Sequence, residues 1–468
     1  MKPSTLPAAL AAALATSALS GPAPAQRPTP SVPAPLDPQV AALRDAALKD
    51  DVAYDIVEGI TTEVGPRMAG TEAEARARTW GAAKLTALGF KNVRIETTQM
   101  RTWVRGVETA EVISPFPQKL RLTALGSSGA TKPEGLTAEI VYFANFGELQ
   151  AAPQASLKGK IAFVSNAMVA TQDGSSYGAF GSARFVGPNL AAKKGAAAII
   201  IRSIGSDHGR GPHAGQTNFE TGVTPIPAAA LSVSDADNLS RMVKRGKPIT
   251  IHLTLTPRDL GMTETGNVIG EVPGTDPAAG LVIVGGHLDS WDLGTGALDD
   301  GAGLAITTAA AKRLLDGPPP RRTIRVVWFG DEETGGAGAQ AYFAAHKDEP
   351  HALAAESDFG ADRVWRFAVN LPDTATAIGD RLATALAPLG IVRAREKGGD
   401  GADIAPLVKA GVAAVDLNQS GTRYFDFHHT PEDTLERIDK EQLRQNVAAW
   451  TAMLAVVANA PEALVKPK

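Results

Sequence analysis

Cysteine is absent from this 468-residue chain. That absence excludes disulfide staples, a thiol nucleophile and thiolate metal ligands, so any bound metal must be held by nitrogen and oxygen. A basic excess is also missing: 46 Lys and Arg stand against 50 Asp and Glu, for a formal net charge of −4. Short basic runs such as Arg321-Arg322 and Lys193-Lys194 read as solvated faces, and no cationic patch argues for nucleic acid. No apolar run is long enough for a convincing membrane span, and no internal repeat is visible. What remains is 44% hydrophobic and 21% charged residues, the composition of a soluble enzyme of about two to three domains.

The N-terminus has the pattern of an export signal. Lys2 supplies a positive start, Leu6 to Leu19 an Ala/Leu-rich apolar stretch, and Ala23-Pro24-Ala25 a small-residue cleavage site. Residues 1–25 are therefore expected to be a signal peptide, with a retained signal anchor as the minor alternative. Residues 26–37 form a Pro-rich tail. With no cysteine for lipid attachment, the mature chain is expected to be periplasmic or secreted and not stably inserted in a membrane.

Chemistry concentrates in Gly285 to Gly303, GGHLDSWDLGTGALDDGAG. The β-branched run Leu281-Val282-Ile283-Val284 reads as a buried strand, with His287 and Asp289 just past its carboxyl end. Asp299 and Asp300 precede the helix-like GLAITTAAAKRLL. An Asp before a helix is usually an N-cap and a lone His is usually a satisfied polar residue. Recurrence changes that balance. The alternating segment Thr323 to Phe329 runs into Gly330-Asp331-Glu332-Glu333, Glu356-Ser357-Asp358 precedes the strand-like Val364 to Leu371, and His428-His429-Thr430-Pro431-Glu432-Asp433-Thr434 follows GVAAVDLN. Acids and imidazoles thus collect at several element ends, where open α/β sheets place their functional loops.

These segments, with GPRMAGTE at Gly65 to Glu72, GFKNVRIE at Gly89 to Glu96 and LGSSGATKPEGLTAE at Leu125 to Glu139, resemble the M28 family of metallopeptidases in order and spacing. The resemblance covers nearly all of the mature chain. It implies two Zn²⁺ per chain, with ligands His287, Asp299, Glu333, Asp358 and His429. Asp299 would bridge, His287 and Asp358 would complete one site, and Glu333 and His429 the other. It further implies Glu332 as general base, Asp289 accepting the second ring N–H of His287, and a cis peptide between Asp299 and Asp300. His428 is left as a packing or substrate-adjacent neighbour, Tyr424 as a packed aromatic with a lesser claim to a catalytic hydrogen bond, and Asp403 as structural.

From Leu136 to Thr256 strands dominate, at Thr137 to Phe143, Lys160 to Ser165, Ala196 to Arg202, Ile226 to Leu231 and Ile249 to Leu255. The order resembles a protease-associated (PA) domain. The expected organisation is a discontinuous peptidase domain, 38–132 and 257–468, interrupted by a PA insertion at 133–256 that shapes the cleft without supplying zinc ligands. The expected fold class is α/β, a mixed and largely parallel sheet flanked by helices plus a β-rich insert. His208 and His213, in the insert's loop DHGRGPHAGQ, are equally consistent with contact to substrate and with solvation.

The expected function is an exported di-zinc exopeptidase acting on dipeptides or short peptides, of the carboxypeptidase and dipeptidase kind. The alternatives are an aminopeptidase of the same family or a receptor-like binding protein on the same fold. Competent residues at all five ligand positions and at the base favour an enzyme. The resemblance also implies a homodimer. Side-chain preference depends on pocket walls that such motifs do not define.

Overall fold

The computed structural model describes residues 35–399 and 401–465; the expected signal peptide and most of the Pro-rich tail lie outside them. Two eight-stranded sheets organise the chain. In the first, the spatial order is Lys91–Val104, Arg258–Val272, Ile324–Phe329, Leu281–His287, His351–Glu356, Ala413–Gln419, Val364–Asn370 and Val392–Arg393. Its centre is parallel: Leu281–His287 pairs in parallel with both Ile324–Phe329 and His351–Glu356, and the latter with Ala413–Gln419. Antiparallel strands flank this centre, so the sheet is mixed as expected. Parallel strands are covered on both faces and read as continuous apolar runs; every residue of Ile324–Phe329 is buried.

Helices Ala302–Leu315 and Lys440–Asn459 pack on one another within the core under the sheet. The second begins sharply because the Asp439 side chain accepts from the backbone N–H groups of Glu441 and Gln442. Glu72–Ala87 starts at Thr71, whose hydroxyl accepts from the Glu74 N–H. The buried Trp328 indole donates to Thr308 Oγ1 at 3.0 Å, which satisfies its one polar atom and ties the sheet to the Ala302–Leu315 helix.

The second sheet runs Gln118–Leu120, Glu108–Ser114, Thr250–Leu255, Leu136–Phe143, Ile161–Val164, Ala198–Arg202, Ala228–Leu231 and Leu122–Ala124. The five strands expected between Leu136 and Thr256 are all in it, within two residues of their expected bounds. Strands between Glu108 and Ala124 also pair within it, although residues up to 132 were expected in the peptidase part. The alternating pattern of Glu108–Ser114 suits either sheet; its antiparallel pairing with Thr250–Leu255 decides the matter. Among the described residues, no helix is long and apolar enough to cross a membrane.

Candidate active site

The four central parallel strands end on one side of the sheet, and the expected site residues emerge there. His287 is the last residue of its strand, rather than just past it. Glu332 and Glu333 follow Ile324–Phe329, Asp358 follows His351–Glu356, and His428 and His429 follow Ala413–Gln419 through the short turn Tyr424–Phe427. Asp299 and Asp300 lie just ahead of helix Ala302–Leu315, joined by a cis peptide bond.

All five residues expected as ligands are brought together. His287 Nε2 lies 3.0 Å from Asp299 Oδ1 and 3.5 Å from Asp358 Oδ1. His429 Nε2 lies 3.2 Å from Asp299 Oδ2 and 3.0 Å from Glu333 Oε2. The two oxygens of Asp299 therefore face different imidazoles. Asp299 Oδ2 and Glu333 Oε1 are buried without a hydrogen-bond donor, an arrangement that is costly unless a cation completes it. His428 stacks on His429 with ring centroids 3.5 Å apart, and its Nε2 is 3.5 Å from Asp299 Oδ2. It lies nearer the acidic cluster than a packing neighbour needs to be.

The surrounding hydrogen bonds fix these side chains. His287 Nδ1 pairs with the main-chain oxygen of Asp289 at 2.9 Å, whereas the Asp289 carboxylate, expected in that role, is 3.8 Å away. That carboxylate instead accepts from the backbone N–H groups of Glu332 and Glu333, at 3.1 and 3.3 Å, and so sets the turn that presents both glutamates. Asp300 accepts from the N–H groups of His287 and Gly303. A Cβ on Gly303 would lie 1.8 Å from Ser357 O, so only glycine permits this approach. Asp433 accepts from the N–H groups of Leu298 and Asp299, at 2.6 and 3.3 Å.

Burial pushes the Asp300 carboxyl well above the usual carboxylate range, with Asp358 adding to the effect, and it raises Asp289 as well. Burial acts on Asp299 in the same sense, but the adjacent imidazoles of His287, His429 and His428 outweigh it and hold that group well below the usual range. Glu332 is pushed well up by burial, partly offset by His287 and reinforced by Asp358 and Glu333. So many crowded carboxylates against so few imidazoles favour a bound cation. Tyr424 lines the same cavity as a phenol kept protonated by burial and by Asp299 and Asp358.

Loops of the second sheet reach into this support. His429 Nδ1 pairs with Ala214 O at 3.2 Å, and Ala214 N donates back to His429 O. His213 is buried, with Nδ1 2.8 Å from His428 O and Nε2 2.8 Å from Asp207 Oδ1. His208, by contrast, is exposed. Asp403 is buried beside Glu356, and its backbone N–H donates to the Glu356 carboxylate. Arg67 was missed, although GPRMAGTE contains it: it is fully buried and donates to the main-chain oxygens of Leu288, Thr295 and Gly296. A cavity of about 380 Å³ opens over the cluster, walled by both sheets' loops.

Comparison with known proteins agrees with this geometry. Residues 267–454 match the model of peptidase family M28. Carboxypeptidase Q of Bos taurus is 35% identical over 416 residues, covering 88% of this chain and 86% of its own length. The chain belongs to peptidase family M28. It is a metallo-exopeptidase, and its substrate is a peptide. A peptidase M28 precursor from Shewanella amazonensis SB2B, known from its crystal structure, shares 46% identity at a TM-score of 0.89, covering 92% of this chain and 98% of that one. The zinc aminopeptidase BSAP from Bacillus subtilis has the same fold at 22% identity, with a TM-score of 0.64 over 89% of this chain and 98% of its own.

Proposed function

We propose that the chain hydrolyses dipeptides or other short peptides at a pair of zinc ions, after export to the periplasm or the medium. The observation that carries the reading is Asp299, whose two oxygens lie 3.0 and 3.2 Å from the Nε2 atoms of different histidines. His287 and Asp358 would complete one site with it, and Glu333 and His429 the other. Carboxylate oxygen with imidazole nitrogen is a donor set that suits zinc. Bound zinc would polarise the scissile carbonyl and make water a better nucleophile.

Glu332 is the base in this reading. It lines the cavity beside the cluster, and its raised proton affinity suits a group that takes a proton from water and delivers it to the leaving amine. Asp289 positions it by holding its backbone N–H. The Tyr424 phenol, which lines the same cavity, is placed to donate to oxygen charge developing on the substrate. We read the second sheet as a protease-associated insert from about 105 to 256, and the chain as a homodimer, which sedimentation would check.

Metal analysis should find two zinc equivalents. Chelation should abolish hydrolysis and Zn²⁺ or Co²⁺ should restore it. Full activity in metal-stripped protein refutes the mechanism, and a single tightly held ion refutes the bridging role of Asp299. A panel of dipeptides with free or blocked termini separates the carboxypeptidase and dipeptidase reading from the aminopeptidase one.

A further inference from the structure

Arg184 lies in the short helical turn Ser182–Phe185 of the insert and is 2% exposed. Its guanidinium is held flat. The guanidinium carbon is 4.5 Å from the Phe185 ring centroid and 5.2 Å from that of Tyr177. Against it lies Gly215, at φ +138°, where a Cβ would come within 2.5 Å of the same carbon. Rings and a bare backbone thus frame a planar cation. Side-chain order of this kind lowers the entropy lost when a ligand binds.

The hydrogen bonds of this cation are conspicuously incomplete. One terminal nitrogen donates to Tyr177 Oη, the other makes a long bond of 3.4 Å to Ala214 O, and Nε has no partner. Among the described residues no carboxylate forms an ion pair with it. Other buried arginines have a fuller complement or a counter-charge: Arg67 reaches three main-chain oxygens, Arg78 pairs with Glu74 and Glu264, and Arg202 with Asp237. A buried guanidinium without a counter-charge is costly, and a ligand that brings the anion removes the cost.

Its location says which ligand. Arg184 lines the cavity that also holds Asp299, Glu332, Glu333, Asp358, His428 and His429, and it is the one Lys or Arg among the lining residues. The catalytic end of the cavity is crowded with carboxylates that repel an anion. An anionic end of the substrate is therefore drawn to this guanidinium. A peptide with neutral side chains carries one anion, its terminal carboxylate, whose two oxygens match the fork of an arginine.

Resting on the peptidase reading above, we propose that Arg184 binds the free C-terminal carboxylate of the substrate and so sets the exopeptidase to short peptides with an unblocked C-terminus. The specificity would come from the insert, while the metal ligands come from the first sheet.

Three peptides test it on zinc-loaded protein: a neutral dipeptide, its C-terminal amide, and an amidated dipeptide ending in glutamate. Wild type should favour the free acid over the amide in kcat/KM by roughly 100-fold, the scale of losing one partner of a buried charged pair. In Arg184→Met the ratio should fall to within about fivefold, mainly through KM for the free acid, while zinc content and thermal midpoint hold. Arg184→Lys should recover part of it, and it serves as the comparison if the Met variant does not fold. Equal turnover of acid and amide by wild type, or an undiminished ratio in both variants, overturns the proposal but leaves the peptidase reading standing. Preference for the amidated glutamate peptide over the neutral free acid overturns it too, by assigning Arg184 to a side-chain carboxylate. If no peptide is cleaved, the peptidase reading fails. Calorimetric binding of leucine against leucinamide then decides for or against Arg184 separately, selectivity for leucine that Arg184→Met abolishes being the supporting result.

Discussion

Replacing Arg67 by methionine removes charge and donors while keeping a long apolar side chain in the same space. The wild-type guanidinium is fully buried, with Nε 2.5 Å from Leu288 O and its terminal nitrogens 2.7 Å from Thr295 O and 2.9 Å from Gly296 O. All three acceptors belong to the loop between His287 and Asp299. Each buried carbonyl left without a donor costs about 1–3 kcal/mol, so three set a range of about 3–9 kcal/mol. Part is recovered, because the desolvated guanidinium disappears and the loop can turn its carbonyls toward water. About 3–5 kcal/mol is the expected loss, the usual cost of breaking a buried charged network. The loop also spaces the two ligand residues, so apparent zinc affinity should fall by about 10- to 100-fold. Urea unfolding of the metal-stripped protein measures the first quantity, and zinc competition against a chelator the second. A variant that unfolds within about 1 kcal/mol of wild type and competes equally for zinc refutes the reasoning.

Two of the strands that carry the site, Leu281–His287 and Ile324–Phe329, were legible because they are apolar, short and lead into histidine or acids, so sheet position and chemistry coincide in the text of the chain. His351–Glu356 was not legible. Its HALAAE sequence has no β-branched residue and favours a helix by intrinsic propensity, yet it is fully buried between two strong strands that impose the extended form. Lys91–Val104 shows the same override in length: pairing with Arg258–Val272 carries the strand to Val104 through the exposed Gln99 and Arg101. The site's second layer escaped for another reason. Ala214 O and Asp289 O hold histidine rings through main-chain atoms, which every residue possesses, so no side-chain pattern marks them. At Asp289 the main-chain oxygen, and not the expected carboxylate, pairs with the His287 ring. The carboxylate serves the glutamate turn because two backbone N–H groups there would otherwise be buried unpaired.

His213→Ala should weaken zinc binding about tenfold in chelator competition, because the insert then loses its hold on His428 O; unchanged affinity would detach the insert from the metal site. The paired glutamates give the sharpest separation of roles. Glu332→Gln keeps size and hydrogen bonding but removes the basic oxygen, so kcat should fall by about 10²–10⁴-fold while zinc content stays near two. Glu333→Gln removes charge from the carboxylate 3.0 Å from His429 Nε2, so zinc affinity should fall first and activity should return as zinc is raised. The two backbone N–H groups of these residues are held by one carboxylate, that of Asp289, so neither substitution should disturb the turn. If Glu332→Gln lost zinc while Glu333→Gln did not, the roles would be exchanged. Near wild-type turnover in Glu332→Gln would remove the base altogether.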